Sequence, residues 1–410
     1  MQKYRKQLIE LTQALVNIPT ENNPPNGYEK AGQEFMSSLY ADMGLNVEMF
    51  SPCDLAEYET HEGFLRERNM KDRKDVVGVW KGKGNGKSIV LSGHMDVAPK
   101  EPLAWTQCQP YDSIVKNGRV YGRGSCDMKG GLVCSAVALR MLKDEGFVPS
   151  GDIIIESVVD EEYASGNGTL ASRLKGYNAD FAIVCEPTGE RVCAANVGSI
   201  LLNIRISGSA GMPYTGEKIL NVAYALGDLL KIIEVLEEKR ENDTAPPLWE
   251  NAVQKRKFVI TKVSAGETKP HGQLGCPNDA WIEVSVHTYP GEKVDDVIAE
   301  VTSFIKERFL YHADITITPL YNYVEPCNSD ANGEAMCLLA ESAAENGANG
   351  EVTIAPFPCD MFIFQKYADT QGAIFGPIGG NLHAPDEWVD IDSMMRTANT
   401  IASFIKKWCK

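Results

Sequence analysis

Long apolar runs, paired cysteines and an excess of basic charge are all missing from this 410-residue sequence. No stretch approaches the about 20 apolar residues that cross a bilayer, so no membrane-spanning helix is expected. The opening MQKYRKQLIELTQALVNI is charged and amphipathic, without the apolar core or small-residue cleavage site of a secretory signal. Eleven cysteines are present, an odd number with no C-x-x-C pair. Cys126, Cys185 and Cys359 each precede an acidic residue, which suits small buried side chains at strand or turn ends better than a disulfide framework. A reduced, cytoplasmic, soluble protein is the expectation. Lys and Arg number 40 against 56 Asp and Glu, a formal charge of −16. Such a chain repels polyanions, which argues against nucleic acid and acidic membranes as partners and leaves cation binding open. With 43% apolar and 23% charged residues the composition is that of a globular protein. Its length exceeds one typical core, so two domains, or a large and a small one, are expected.

Leu8, Leu11, Leu15 and Ile18 recur at helical spacing until Pro19 stops them, and a second helix runs from about Tyr28 to Met43, capped by Gly44. Beyond these, short apolar runs alternate with helical segments. Strands are expected at Val76–Trp80, Ser88–Asp96, Asp152–Asp160 and Phe181–Cys185, and a helix at Met128–Lys143. The runs IVLSG, DIIIESVV and DFAIVC suit strands buried on both faces, hence an α/β domain with a mostly parallel central sheet. Asn117-Gly118 marks a tight hairpin, expected at the edge of that sheet. After Val197 the order becomes strand, helix, strand, strand, helix, strand: Ser199–Ser207, Glu217–Lys239, Lys257–Val263, Trp281–Thr288, Val294–Arg308 and Ala313–Pro319. That is the order of an α+β ferredoxin-like unit. From about Leu320 the α/β texture returns and closes with a helix over Asp392–Trp408. A catalytic domain of residues 1–197 and 317–410, interrupted by an inserted domain of residues 198–316, is the expected organisation.

Open α/β sheets place ligands beyond the carboxyl ends of their strands, and five acid- or histidine-bearing segments fall there. SGHMDV carries His94 and Asp96 two residues apart, on one side of a strand, so that Asp96 can orient the imidazole. YGRGSCDMKGG places Asp127 at a loop-to-helix junction, where a lone Asp is most often a cap. VVDEEYASGNG sets three acids after an apolar strand; unless solvated, they need a shared cation or proton. AIVCEPTG ends a strand at Glu186, and GPIGGNLHAPDEWV holds His383 in a Gly-rich loop. Each segment alone has a structural explanation. Together, two histidines and three carboxylates form the N/O donor set of Zn²⁺, with Co²⁺ or Mn²⁺ as alternatives. Two divalent ions would balance three carboxylate ligands and a hydroxide, leaving another carboxylate as general base.

These blocks, in this order and over essentially the whole chain, resemble the M20 metallopeptidase family, which includes acetylornithine deacetylases, succinyl-diaminopimelate desuccinylases, aminoacylases and carboxypeptidase G. The resemblance implies His94 and Glu186 on one metal, Glu162 and His383 on the other, and Asp127 bridging both. It implies Glu161 as general base, Asp96 holding His94, a cis peptide at Asp127-Met128, and an inserted lid through which the chain forms a homodimer. The implied reaction is hydrolysis of an amide in a small-molecule substrate, as in an N-acyl amino acid deacylase. A dipeptidase or carboxypeptidase is the close alternative.

Two departures from that pattern bear on the substrate. The family carries a lid histidine in a G-x-x-x-H segment that stabilises the oxyanion; here GSAGMPYTGEK holds Met212. A thioether donates no hydrogen bond, and one lost oxyanion donor costs about 10²–10³ in rate. An engineered replacement, a reaction that needs no donor there, and weakened catalysis all remain open, the last allowing a relative that only binds small molecules. In WIEVSVHTYPGE, His287 stands where many relatives have an arginine for the substrate's α-carboxylate, although it also suits a plain strand position at the domain junction. Asn381 is a candidate donor to substrate, and His271 is given no role.

Overall fold

The computed structural model describes residues 1–163, 166–209, 211, 212, 214, 216, 219–250, 257–266 and 275–410. They form two compact units. One comprises Met1–Asn196, Cys327–Ala355 and Cys359–Lys410; the other comprises Val197–Pro326 and Pro356–Pro358. All eleven cysteines are free, and among the described residues no helix is long and apolar enough to cross a membrane.

The first unit is built on a nine-stranded mixed sheet. Its centre is parallel: Gly372–Ile374, Phe181–Val184, Ile89–His94 and Ile153–Val158 lie side by side in that order. Every residue of these strands is buried, which is why their sequences show no polar alternation. Antiparallel strands flank them. Asp75–Trp80 and Asn46–Phe50 extend one side; Val192–Asn196, antiparallel to Gly372–Ile374, extends the other. The helix Lys129–Asp144 packs against Gln2–Val16 and against Ile391–Trp408. The last of these buries Met394, Ala398, Ile401, Ile405 and Trp408, a stripe at three- and four-residue spacing.

The Asn117-Gly118 turn does join two short strands, Ile114–Lys116 and Arg119–Tyr121, with φ of 52° and 75° at its centre. That hairpin is not at the edge of the main sheet. It belongs to a separate four-stranded sheet with Trp388–Asp390 and Gly379–Gly380. The pairing brings the segment that leads to Asp127 beside the loop that carries His383.

The second unit is a four-stranded antiparallel sheet in the order Phe258–Ala265, Asp279–Thr288, Gly198–Ser207, Asp314–Pro319. Helices Val222–Asn242 and Val294–Arg308 complete a β-α-β-β-α-β chain order. Ile200, Leu202, Ile204 and Ile206 alternate into a core shared with Ile282, Val284, Leu229, Ile233, Val301 and Phe304. The unit extends to Pro326 because Leu320 and Val324 bond back to its first strand: Leu320 N donates to Leu201 O at 2.9 Å, and Ser199 N to Val324 O at 2.8 Å.

Candidate metal centre

Three neighbouring parallel strands deliver side chains to one end of the main sheet. His94 ends Ile89–His94, Glu161 and Glu162 follow Ile153–Val158, and Glu186 follows Phe181–Val184. Asp127 comes from the loop before Lys129–Asp144. A methyl group on Gly131, in the first turn of that helix, would overlap the Cys185 carbonyl oxygen. Glycine there lets the helix start against the strand end that leads into Glu186. Every ligand named from the sequence thus lies in the first unit.

The donors fall into two triads, His94 with Asp127 and Glu186, and Asp127 with Glu162 and His383. Within each triad the ligand atoms lie within 4.8 Å of one another. Asp127 belongs to both. Its Oδ1 is 3.2 Å from His94 Nε2 and its Oδ2 is 3.3 Å from His383 Nε2. Glu186 Oε1 stands 3.4 Å from His94 Nε2, and Glu162 Oε2 stands 2.8 Å from His383 Nε2. Glu161 belongs to neither triad, yet its Oε2 lies 3.7 Å from His94 Nε2. The peptide bond between Asp127 and Met128 is cis.

Electrostatics match a site that expects cations. Burial raises Glu161 well above the usual carboxylate range; His94 opposes the rise, while Asp360, Glu186 and Glu162 add to it. Burial lifts Glu186 to about 7, against the pull of His94. His94 would be lowered by burial, but the carboxylates of Glu186, Asp127 and Glu161 outweigh that and raise it. His383 is raised chiefly by Glu162. Crowded buried acids are costly unless positive charge is shared among them, which two divalent ions would supply.

The surroundings hold this arrangement in ways that composition does not reveal. His94 Nδ1 is 2.8 Å from the main-chain oxygen of Asp96, whereas the Asp96 carboxylate is 3.9 Å away. A main-chain acceptor there makes Nδ1 a proton donor, so Nε2, facing Asp127 and Glu186, is the nitrogen left for a cation. The Asp96 carboxylate instead accepts from the main-chain N–H groups of Glu161 at 3.2 Å and Glu162 at 3.0 Å, and from Asn22 Nδ2 at 2.7 Å. Asp160, at φ 69°, anchors the same turn. Its carboxylate meets Arg68 Nη2 at 2.7 Å, Arg73 Nη2 at 2.8 Å and Asn167 Nδ2 at 2.9 Å. Asp360, pushed to about 7 mainly by burial, accepts from Thr169 Oγ1. Glu387 braces the Asp127 loop. Asn22, Arg68, Arg73, Asp360 and Glu387 lie far in sequence from the strand ends they support, and no spacing rule marks them.

The remaining candidates sit elsewhere. Asn381 Nδ2 donates to Pro385 O at 3.3 Å and to Asp386 O at 3.2 Å, bonds that brace its own loop around His383. Met212, in the second unit, is exposed and follows Gly211, which bridges to Cys276. His287, also in the second unit, is buried near the end of Asp279–Thr288. Burial, aided by Lys257, lowers it to about 4, so it is neutral near pH 7. His271 lies outside the described residues.

Two histidines and three carboxylates gathered beyond the carboxyl ends of an α/β sheet are the equipment of a metallohydrolase. The model of peptidase family M20/M25/M40 matches residues 90–407. The chain belongs to this family. It is 25% identical, over an alignment of 436 positions, to the N-formyl-4-amino-5-aminomethyl-2-methylpyrimidine deformylase of Bacillus subtilis, with 100% of this chain and 96% of that protein covered. A Staphylococcus aureus protein named "Probable succinyl-diaminopimelate desuccinylase" is 26% identical over 340 positions, covering 76% of this chain and 81% of its own. In fold the chain is similar to a dipeptidase of Saccharomyces cerevisiae, with a TM-score of 0.78 at 12% identity and coverage of 100% and 97%. It is likewise similar to an M20 family metallo-carboxypeptidase of Sulfolobus solfataricus, with a TM-score of 0.74 at 14% identity and coverage of 98% and 99%.

Proposed function

We propose that this protein is a dinuclear metal-dependent amidohydrolase that removes an acyl group from a small substrate, with Glu161 as general base. The observation that carries the reading is Asp127, whose two carboxylate oxygens each face a different histidine, at 3.2 and 3.3 Å. A carboxylate so divided suits a bridge between two ions, one with His94 and Glu186 and one with Glu162 and His383. The donor set suits Zn²⁺ best, with Co²⁺ or Mn²⁺ as alternatives. When bound, the ions supply Lewis-acid polarisation of the scissile carbonyl and acidification of the attacking water.

The side chains do the proton work. Glu161, desolvated and surrounded by carboxylates, is a stronger base than an exposed glutamate, which suits it to take a proton from water near neutral pH. The same carboxyl then returns the proton to the leaving amine. Asp96 and Asp160 fix the turn that aims Glu161.

Two observations bear on the substrate class. Two of the curated relatives are named for removal of formyl or succinyl groups, while the dipeptidase and carboxypeptidase neighbours favour peptide substrates as the second reading. His287 bears on both readings. The family resemblance puts it where many relatives carry an arginine for the substrate's α-carboxylate, and a buried neutral imidazole offers no permanent charge for that purpose, so an ordinary N-acyl-α-amino acid and a carboxypeptidase substrate are both disfavoured. We also infer a homodimer through the inserted unit. That unit's sheet ends in an edge strand, Phe258–Ala265, with Val259 and Val263 exposed.

Chelation is expected to abolish turnover, and readdition of Zn²⁺ or Co²⁺ to restore it. Glu161→Gln is expected to retain two ions per chain by elemental analysis while losing about 10²–10⁴ in kcat. A Gln variant as active as the parent would remove Glu161 from the mechanism. Parallel panels of N-acyl amines and dipeptides distinguish the two substrate readings.

A further inference from the structure

Glu387 lies four residues beyond His383, and its side chain is fully buried. Nothing in the ligand triads includes it. Its carboxylate is nonetheless saturated with donors. Oε1 accepts from the main-chain N–H groups of Cys126 at 2.9 Å and Asp127 at 3.0 Å. Oε2 accepts from the Gly124 N–H at 3.0 Å and from Arg123 Nη1 at 2.8 Å. The main-chain oxygen of Glu387 takes a further bond, from Gly122 N at 2.9 Å. One buried residue therefore gathers the loop Gly122–Asp127, mostly through its side chain, and ties it to a segment about 260 residues away.

We propose that Glu387 is a positioning residue for the metal centre: it sets the Asp127 main chain so that the Asp127 carboxylate divides between His94 and His383. The proposal rests on the dinuclear reading above. The geometry gives it content in two ways. Asp127 is held at its own N–H, so a shift of Glu387 moves the shared ligand directly. Glu387 is also in the loop of His383, so the same shift alters the separation of the two ligand loops. Both metal positions depend on that separation. Only a carboxylate, with four lone pairs and no donor, satisfies three N–H groups and a guanidinium together. An amide keeps one acceptor oxygen but points an NH₂ group at two donors, Gly124 N–H and Arg123, or at Cys126 N–H and Asp127 N–H.

The test compares the parent with Glu387→Gln and Glu387→Asp, each purified metal-free and titrated with Co²⁺. Outer partners of metal ligands typically contribute 10–100-fold in metal affinity, so both Co²⁺ dissociation constants are expected to weaken by that range in Glu387→Gln. With metal at saturation, kcat falls while KM stays near the parent value, and Glu387→Asp gives an intermediate loss on both measures. A merely structural role predicts something else: a lower Tm of the metal-free protein, with Co²⁺ affinities and the visible Co²⁺ spectrum unchanged. That result overturns the proposal. If Glu387→Gln does not fold, Glu387→Asp carries the same readouts, and parent-like Co²⁺ affinity in it counts equally against the proposal. A parent protein that binds fewer than two ions would instead overturn the dinuclear reading itself, and the proposal with it.

Discussion

At the scale of single residues, burial decides which groups act as charges and which as hydrogen-bonding geometry. His287 illustrates this outside the metal centre. Its Nδ1 has no hydrogen-bond partner among the described residues, and burial holds its pKa at about 4 against an ordinary 6.5. The unfolded chain therefore takes up a proton near pH 6.5 that the folded chain refuses until about pH 4. Stability from this group is complete above 6.5 and is lost as pH falls toward 4, by about 1.4 kcal/mol per unit. Between pH 7.5 and pH 5 the parent is expected to lose about 2 kcal/mol more than His287→Gln in chemical denaturation. Equal losses in the two proteins would mean that the imidazole is hydrated and titrates normally. The candidate ligands stood out only as a group: His94, Glu162 and Glu186 end or follow expected strands, whereas Asp127 sits at a loop-to-helix junction and His383 in a Gly-rich loop. Asp96 was legible as a partner of His94 but not in its mode, since a main-chain oxygen rather than the carboxylate meets the imidazole. Glu387 was illegible altogether. Three of its partners are main-chain N–H groups, which have no sequence identity to read, and the fourth, Arg123, is 264 residues away.

At the scale of elements, agreement is closest where periodicity meets a physical stop. The helix Val294–Arg308 has the expected ends, with Asp295 and Asp296 in its first turn and Lys306 and Arg308 in its last, as the helix dipole favours. The final helix begins at Ile391, one residue before the expected Asp392, because Asp390 caps it by accepting from Ser393 N at 2.8 Å. Strand direction was less legible. Burial on both faces makes Asp75–Trp80 and Ile89–His94 look alike, yet one runs antiparallel to Ile153–Val158 and the other parallel. Direction is set by the connections, and the burial pattern of a strand says nothing about them. The edge strand Phe258–Ala265 leads to a prediction of its own. Val259 and Val263 are 46% and 53% exposed, an unusual amount of branched apolar surface for an open edge. Light scattering should find a dimer for the parent and a monomer for Val259→Lys/Val263→Lys, with two ions still bound per chain. A parent that is monomeric at micromolar concentration would end the dimer proposal; a lysine variant that stays dimeric would move the interface to another surface.

At the scale of the whole molecule, the candidate metal centre draws its residues from the first unit alone. All five candidate ligands, Glu161 and the residues that brace them belong to the first unit. The chain leaves that unit after Asn196 and returns at Cys327, and these two residues are direct antiparallel partners in its sheet. Such partners stand only about 5 Å apart, so a few flexible residues can replace everything between them without stretching the sheet. The inserted unit, for its part, has a continuous apolar core of its own. Replacing 197–326 with a short Gly/Ser linker is therefore expected to leave a folded protein that binds two Co²⁺ ions with affinities close to those of the full chain. Ligand binding to the folded state alone stabilises it by about 4 kcal/mol at 1,000 times the dissociation constant, so Zn²⁺ should raise the Tm of the shortened protein as it raises that of the parent. Amide turnover is the quantity expected to fall, because His287 and any other substrate contact made from that unit are removed. A shortened protein that folds but binds no metal would show that the ligand geometry depends on the inserted unit. Undiminished turnover would confine recognition, like cation binding, to the first unit.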